Sequence, residues 1–410
     1  MSPSRDRRTL AAFLTDFINY GVAMSAVSMV TYLPLYLKTN GASDLVIGLV
    51  PAAFAAGRMS GVLAAPRLEA KPLVRRWMVA VMLLERLPLA LCGLWILLGP
   101  AERPGLMVAG ILCLWVTYTI INGWATTSWG TFVSRSLTRP ERGTLSGVGF
   151  TLSSLTGLAV VPLVGWAITR FGLAHGYGGA FLVAGLLLMA SCLVFLRVRE
   201  EPYAHVKQRV SLAGYLKQML PVLRADGRFR WFLAVMALWL MGSTGAAYFT
   251  VFAMARFGAD ASTVMAYTLA MSLGAGLAGL VGARVAGHVG YVRVFLAGIG
   301  LTAAAMLAAY LATGSTGLYL AFALTGASGA ASWMAIINLP LELADPPNVP
   351  TYYAVASLVR GPAGALAPIA AGLYLGHFPY QPLFLFCALL SLVAALLLWR
   401  YVHEPAPCSR

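Results

Sequence analysis

Charged residues are scarce in this chain. Asp, Glu, Lys and Arg make up 10% of its 410 residues, whereas about 25% is usual in soluble domains. Acidic residues are the rarer kind, with 14 Asp and Glu against 29 Lys and Arg, while hydrophobic residues reach 60%. This composition excludes an ordinary soluble domain and favours a protein that lies within a lipid bilayer.

Sequence patterns for catalysis, metal binding and nucleotide binding are also missing. The five cysteines lack disulfide-framework or metal-ligand spacing, and the five histidines fall in or near predicted loops. There is no Gly-x-Ser-x-Gly sequence and no P-loop. We therefore expect no enzyme activity, no metal and no cofactor. Any transport by this chain would draw on a gradient instead of nucleotide hydrolysis.

Long apolar stretches are what the sequence has in abundance. A helix needs about 20 mostly apolar residues to cross a bilayer, and twelve stretches of this kind alternate with short polar loops. The sequence therefore predicts an all-α membrane protein with twelve transmembrane helices. The predicted spans, numbered 1 to 12, are residues 9–37, 45–65, 77–98, 106–133, 144–169, 177–196, 231–255, 262–287, 292–313, 317–341, 351–375 and 382–401.

Basic residues are distributed unevenly between the two sides of the membrane. If the N-terminus is cytoplasmic, the loops outside hold only Lys38, Arg103, Arg170 and Arg256. The positive-inside rule then places both termini in the cytoplasm. We expect the basic surplus to contact anionic membrane lipids and not nucleic acid. We further expect a monomer, integral to a bacterial inner (cytoplasmic) membrane.

An internal repeat divides the chain in two. Pro140 and Pro346, each in a loop before a span, are 206 residues apart, and the same shift places Pro162 on Pro368. Apolar residues at helical spacing within 212–223 fit a short interfacial helix and an ordinary charged linker equally well. The sequence predicts two pseudo-symmetric six-helix bundles, residues 1–196 and 231–410, joined by a cytoplasmic linker, residues 197–230.

This layout of six and six spans, with a basic central loop, resembles the major facilitator superfamily over essentially the whole chain. The family's loop motif Gly-x-x-x-Asp-Arg-x-Gly-Arg-Arg survives in part in two copies. The matching residues are Gly61, Arg75, Arg76, Gly282, Gly290 and Arg293, with Ala65 and Ala286 at the two Asp positions. Span 4 lacks the Arg that many relatives use in proton coupling. The resemblance implies a secondary transporter that moves a small organic solute by rocking two bundles around a central cavity.

Span 5 indicates a direction of transport. Drug antiporters of the family carry Gly-x-x-x-Gly-Pro-x-x-Gly-Gly there, and this chain matches at Gly157, Pro162 and Gly165 but not at Val161 and Trp166. The partial match favours export. An uncoupled facilitator, an importer, a polytopic membrane enzyme and a membrane sensor stay open as alternatives.

Five charged residues fall inside the predicted spans and away from their ends, where each costs about 2.5–3.5 kcal/mol on insertion scales. They are Asp16, Arg58, Glu85, Arg86 and Arg360. One interpretation is a set of ion pairs that lock helices together, for instance Asp16 with Arg58 or Arg360. The other is a coupling site in which Asp16 or Glu85 exchanges a proton. We expect Glu85 and Arg86 to have different partners, because adjacent residues of a helix do not face each other.

Bulky polar residues in mid-span are candidates for the wall of a solute cavity. They lie at helical spacing on spans 1, 4, 10 and 11, although small polar residues also join helices to one another. The candidates are Asn19, Tyr20, Tyr118, Asn122, Trp333 and Ser357.

Overall fold

The computed structural model describes residues 7–203, 206, 212–343 and 349–403. Regular structure in these residues is entirely helical. The α-helices are α1 (Arg7–Val27), α2 (Tyr32–Thr39), α3 (Asp44–Arg58), α4 (Gly61–Glu69), α5 (Arg75–Leu98), α6 (Pro104–Ser136), α7 (Arg139–Phe171), α8 (Leu173–Cys192), α9 (Leu212–Ala225), α10 (Gly227–Gly242), α11 (Phe249–Phe257), α12 (Ala261–Val289), α13 (Tyr291–Tyr310), α14 (Gly317–Leu343), α15 (Val349–Leu375) and α16 (Tyr380–Tyr401). Two 3-10 helices, Leu193–Arg197 and Ser243–Tyr248, complete the set.

Twelve helical segments of the described residues are long and apolar enough to cross a membrane. They correspond one to one with the predicted spans, so the prediction of an all-α membrane protein with twelve transmembrane helices is confirmed. The segments are Arg8–Thr39, Asp44–Leu68, Arg75–Leu98, Pro104–Ser136, Gly147–Phe171, Leu173–Arg197, Gly227–Phe257, Ala261–Ala286, Tyr291–Tyr310, Gly317–Pro340, Val355–Leu375 and Tyr380–Tyr401.

Three spans are interrupted, which apolar length alone did not predict. Span 1 breaks after Val27, where Ser28 takes a left-handed φ of 38° and its hydroxyl bonds to that of Thr31. Span 2 breaks between α3 and α4, where the Ser60 hydroxyl donates to the Ile120 carbonyl at 2.5 Å. Span 7 passes through the second 3-10 helix. At the first break two side-chain hydroxyl groups thus bond to each other, and at the second a side-chain hydroxyl group bonds to a backbone carbonyl.

The chain divides into two compact units by its internal contacts. The first unit comprises Met1–Ala42 and Ala56–Leu212, and the second comprises Ser43–Ala55 and Ala213–Arg410. Most of α3 therefore belongs to the second unit, where Tyr380 donates to the Asp44 carboxylate at 2.9 Å. The predicted limits of two bundles and a linker stay a prediction.

In the first unit, α5 lies against both α6 and α8, and α1 lies against α7 and α8. The backbones of α5 and α8 approach closely because Gly185 faces Ala90 without a side chain between them. The buried ring of Phe13 on α1 packs against Phe132 and Phe195, with ring centroids 5.4 and 5.0 Å away. This packing holds together α1, α6 and the 3-10 helix Leu193–Arg197 that follows α8.

In the second unit, α14 packs against α12 and α13, and α16 packs against α10 and α13. Glycines again set the closest approaches, since Gly326 of α14 lies directly against the Met271 carbonyl of α12. Small residues are the usual means of tight helix packing where lipid offers no hydrophobic drive for association.

Candidate functional site: a buried polar cluster

Four helices of the first unit bring charged and polar side chains together in their interior. Asp16 comes from α1, Glu85 and Arg86 from α5, Asn122 from α6 and Ser191 from α8. All five are buried; the least buried, Ser191, is 4% exposed. These residues, together with Tyr20 of α1 and Tyr118 of α6, are called the polar cluster below.

Arg86 and Asp16 form the tightest ion pair of the polar cluster. The Arg86 Nη2 atom donates to Asp16 Oδ1 at 2.6 Å. Arg86 Nη1 donates to the Leu188 carbonyl and to Ser191 Oγ, which itself donates to Asp16 Oδ1 at 3.0 Å. Charge-assisted hydrogen bonds of this kind are the stronger ones, so the Asp16 side chain is fixed in place against Arg86 and Ser191.

The expected partners of Asp16 were therefore wrong. Sequence reasoning offered Arg58 or Arg360, whereas the bonded partner is Arg86. The reason is the rotation of α5 in the unit, which turns the Arg86 side chain towards α1 and α8. Sequence reasoning also missed Ser191, although a serine in an otherwise strongly apolar span was the available signal.

Glu85 has weaker partners than Asp16. Its Oε1 atom accepts from Asn122 Nδ2 at 2.7 Å, and its Oε2 atom lies 3.7 Å from Arg86 Nε. Glu85 and Arg86 thus have different hydrogen-bond partners, Asn122 and Asp16, although the two side chains also approach each other. Their long side chains leave the helix in different directions, but the carboxylate still reaches the inner nitrogen of the guanidinium.

A chain of hydroxyl groups continues from Asn122. Its Nδ2 atom lies 3.4 Å from the Tyr20 hydroxyl oxygen, which is 2.8 Å from the Tyr118 hydroxyl oxygen. Tyr118 in turn donates to the Met24 sulfur at 3.8 Å. The predicted cavity candidates Tyr20, Tyr118 and Asn122 thus contact one another and Glu85 inside the first unit.

The other candidate residues lie around the polar cluster or in the second unit. Arg58, half-buried at the end of α3, lies within electrostatic range of Glu85 and Tyr20. Asn19 is half-buried on α1. In the second unit, the Arg360 guanidinium lies 5.9 Å from the centre of the Trp333 ring, and Ser357 is half-buried one turn from Arg360 on α15.

The glycines of the span 5 pattern have packing roles. A side chain at Gly157 would meet the Ser25 hydroxyl of α1, so this glycine sets the distance between α7 and α1. Gly165 is buried, and Pro162 is exposed on the same helix.

We looked for a metal site in the part of the chain that the structure describes. Among those residues, no group of three or more His, Cys, Asp or Glu side chains is placed to hold a metal ion.

Comparisons with known proteins agree with this architecture. Residues 231–410 match the model of the Major Facilitator Superfamily. No curated protein matches the chain. The fold is similar to that of a D-xylose-proton symporter, with a TM-score of 0.72 and 15% sequence identity over 98% of this chain and 99% of that chain. It is also similar to a mutant form of the nucleoside transporter NupG, with a TM-score of 0.69 and 15% identity over 97% of this chain and 100% of that chain.

The two kinds of similarity cover different parts of the protein. The family model matches the sequence of the second half, and the structural similarity extends over both halves. The resemblance to the major facilitator superfamily is thus confirmed by sequence for residues 231–410, and the two solved transporters have a similar fold over nearly the whole chain.

Proposed function

We propose that the protein is a secondary active transporter that exports a small organic solute by alternating access, with protons as the coupling ion. The family match and the fold favour transport over a membrane enzyme or a sensor. The polar cluster supports proton coupling, and the residues Gly157, Pro162 and Gly165 support export. As with other transporters of this architecture, the solute would bind near the membrane midplane.

The single observation behind the coupling proposal is that two carboxylates share one guanidinium inside a membrane unit. Asp16 and Glu85 both lie within 4 Å of Arg86, at 2.6 and 3.7 Å. Two buried negative charges beside one positive charge favour the uptake of a proton. If the proton affinity differs between two conformations of the transporter, the proton gradient drives the conformational cycle.

The proposed location is a bacterial inner membrane, with both termini in the cytoplasm and the protein as a monomer. Reporter fusions test this topology directly. Fusions at Glu102, Gly172, Asp260, Ser315 and Phe378 should report an outside location, and fusions at Lys71, Arg139, Lys207, Gly290 and Asp345 an inside one. An odd number of crossings between residues 1 and 207 would contradict the arrangement of six and six spans.

A solute screen followed by a transport assay tests the proposed function. The purified protein is heated with members of a solute library, and a compound that raises its melting temperature is taken forward as a radiolabelled probe. The protein is then reconstituted into liposomes with an imposed pH gradient. Movement of the probe against its own gradient, lost on addition of a protonophore, is the expected result.

Two variants provide the matched comparison in that assay. Glu85→Gln keeps the size of the side chain but removes its titration, and Glu102→Gln makes the same change in an exposed loop. We expect Glu85→Gln to abolish accumulation while exchange of the probe down its gradient persists, and Glu102→Gln to behave as wild type. Gradient-driven accumulation in the stable Glu85→Gln protein would contradict coupling through this residue.

Symport is the alternative that a specific observation favours. One structural relative is a proton symporter by its name. In the same liposomes, a symporter would accumulate the probe on the alkaline side of the membrane, whereas the proposed exporter accumulates it on the acidic side.

A further inference from the structure

We infer that Glu85, and not Asp16, is the group that binds the coupling proton, and that the Asn122 side-chain amide senses whether Glu85 is protonated. The part of this inference that concerns coupling to transport rests on the proposed function. Its structural basis is independent of any solute. It rests on the unequal hydrogen bonding of two buried carboxylates and on the buried Oδ1 atom of Asn122, which has no hydrogen-bond partner among the described residues.

The guanidinium of Arg86 directs its hydrogen bonds to Asp16 and to two groups on α8. Both of its terminal nitrogens bond to Asp16, to Ser191 or to the Leu188 carbonyl. The remaining nitrogen, Nε, has no hydrogen-bond partner among the described residues and lies 3.7 Å from Glu85 Oε2. Protonating Asp16 would weaken the closest ion pair of the polar cluster, whereas protonating Glu85 would weaken one amide hydrogen bond and the longer 3.7 Å contact with Arg86 Nε.

In the part of the chain that the structure describes, charged or titratable groups from five helices lie near Glu85. On α1 they are Asp16, already paired, and Tyr20; on α5 there is Arg86; and on α3 there is Arg58, within electrostatic range. The tyrosine Tyr118 on α6 and the thiol of Cys192 on α8 also lie within electrostatic range of Glu85. A neutral Glu85 leaves the bonded pair of Asp16 and Arg86 balanced in charge, which lowers the cost of burial.

Asn122 has the geometry of a sensor of the protonation state. Its Nδ2 atom donates to Glu85 Oε1, which suits an ionised carboxylate, while its Oδ1 atom is buried without a hydrogen-bond partner among the described residues. A protonated carboxyl group is a donor, and it needs an acceptor such as Oδ1. Half a turn of the amide presents this oxygen to the Glu85 O–H group.

The turn of the amide also changes the hydroxyl chain. In the ionised state the Tyr20 oxygen faces Asn122 Nδ2, so Tyr20 donates onward to Tyr118, and Tyr118 donates to the Met24 sulfur. In the protonated state the Tyr20 O–H faces an amide oxygen and donates to it. Tyr118 then donates to Tyr20 and leaves the sulfur. Uptake of the proton at Glu85 is thereby passed on as a reversal of hydrogen bonds towards Met24.

Infrared difference spectroscopy of the purified protein during a pH titration tests the assignment without any solute. The protonated-carboxyl band that appears as the pH falls should shift when the protein carries carbon-13 glutamate and should not shift with carbon-13 aspartate. The wild-type protein suffices for this measurement. A band that shifts only with labelled aspartate, or the absence of any titrating band from a buried carboxyl group, would overturn the inference.

Three variants complete the experiment. Glu85→Gln should lose the band, and Glu102→Gln should keep it. Asn122→Leu should keep the band but move it to higher frequency, because the carboxyl group loses its hydrogen-bond partner, whereas Asn338→Leu in the second unit should leave its position unchanged. A band unmoved by Asn122→Leu would overturn the sensing role of the amide.

The outcomes separate this inference from the proposed function. If the solute screen and transport assay fail while the titrating band belongs to Glu85, the proposed function falls and the proton site stands. If transport is proton-driven but the band belongs to Asp16, the proposed function stands and the assignment to Glu85 is wrong.

Discussion

The third span of each half carries polar groups, but of different kinds. In the first unit, α5 places Glu85 and Arg86 in the interior, and charges there pair with charges. In the second unit, α13 places Thr302, whose hydroxyl accepts from the Trp239 indole at 2.9 Å and contacts the Ser328 hydroxyl. The polar interior around α13 is built of neutral groups.

This difference separates a part of the molecule that can titrate from a part that cannot. Hydroxyl and indole groups stay uncharged at any physiological pH. The Thr302 network therefore joins helices but does not bind or release a proton. Ionisable groups inside a membrane are costly, which makes the polar cluster the candidate functional site. We expect changes in the polar cluster to have large and pH-dependent effects, and changes around Thr302 to have small effects independent of pH.

The largest effect is expected from Arg86→Met. Removing the guanidinium leaves Asp16 and Glu85 buried without their cation, at a cost of about 3–5 kcal/mol in stability at neutral pH. The double variant Asp16→Asn with Arg86→Met should recover part of the loss, because one uncompensated charge disappears. Unfolding of the detergent-purified proteins measures both. A loss no greater than that of Thr302→Val would contradict the contrast between the two units.

A smaller effect is expected from Gly326→Ala. This variant tests the close helix packing at glycines that occurs within each of the two units. The added methyl group would collide with the Met271 carbonyl of the neighbouring helix, and backbone atoms cannot move aside easily. We expect a loss of about 1–3 kcal/mol, typical of overpacking. Gly329→Ala on the same helix is the control, since the space beside Gly329 is open. Equal melting temperatures for the two variants would show that α12 and α14 are not in close contact.

Thr302→Val should have a modest effect. It removes the acceptor of the Trp239 indole N–H group and costs about 1 kcal/mol, the usual net value of one hydrogen bond. The loss should be the same from acidic to alkaline pH, because no charged group is involved. A loss that varies with pH would mean that a titrating residue is coupled to this network.

The smallest effect is expected at Asp260, which caps the start of α12 outside the membrane span. Hydrogen bonds from the Thr263 hydroxyl, the Thr263 backbone and the Ser262 hydroxyl hold the pKa of Asp260 below its ordinary value. A lowered pKa in the folded state means that the carboxylate stabilises the fold above its ordinary pKa and loses this effect as the pH falls through the folded value. Asp260→Asn keeps a capping oxygen, so it should cost only about 0.3–1 kcal/mol at neutral pH.

The measurement for Asp260 is the difference in stability between wild type and Asp260→Asn as a function of pH. We expect the difference to vanish in acid, where both side chains are neutral. A difference that persists unchanged below the lowered pKa would show that the charge of Asp260 contributes nothing to the cap.

Sequence reasoning found most members of the polar cluster but not its connections. Asp16, Glu85, Arg86, Tyr20, Tyr118 and Asn122 were all candidates because charges and bulky polar groups are rare inside spans. Their partners could not be predicted, since adjacent positions such as Glu85 and Arg86 point in different directions and only the rotation of each helix decides what they meet. Ser191 was missed because small polar residues are common in membrane helices.

The sequence by itself determined the number of spans, because crossing a bilayer depends on the length of each apolar run, a property that is local to the chain. It also identified the charged positions inside the spans as candidates, because a charge within an apolar run is costly and is visible in the sequence itself. Only the tertiary structure decided that Asp16 pairs with Arg86 and that Glu85 accepts a hydrogen bond from Asn122. That choice depends on depth and rotation of four helices at once, and no single segment encodes it.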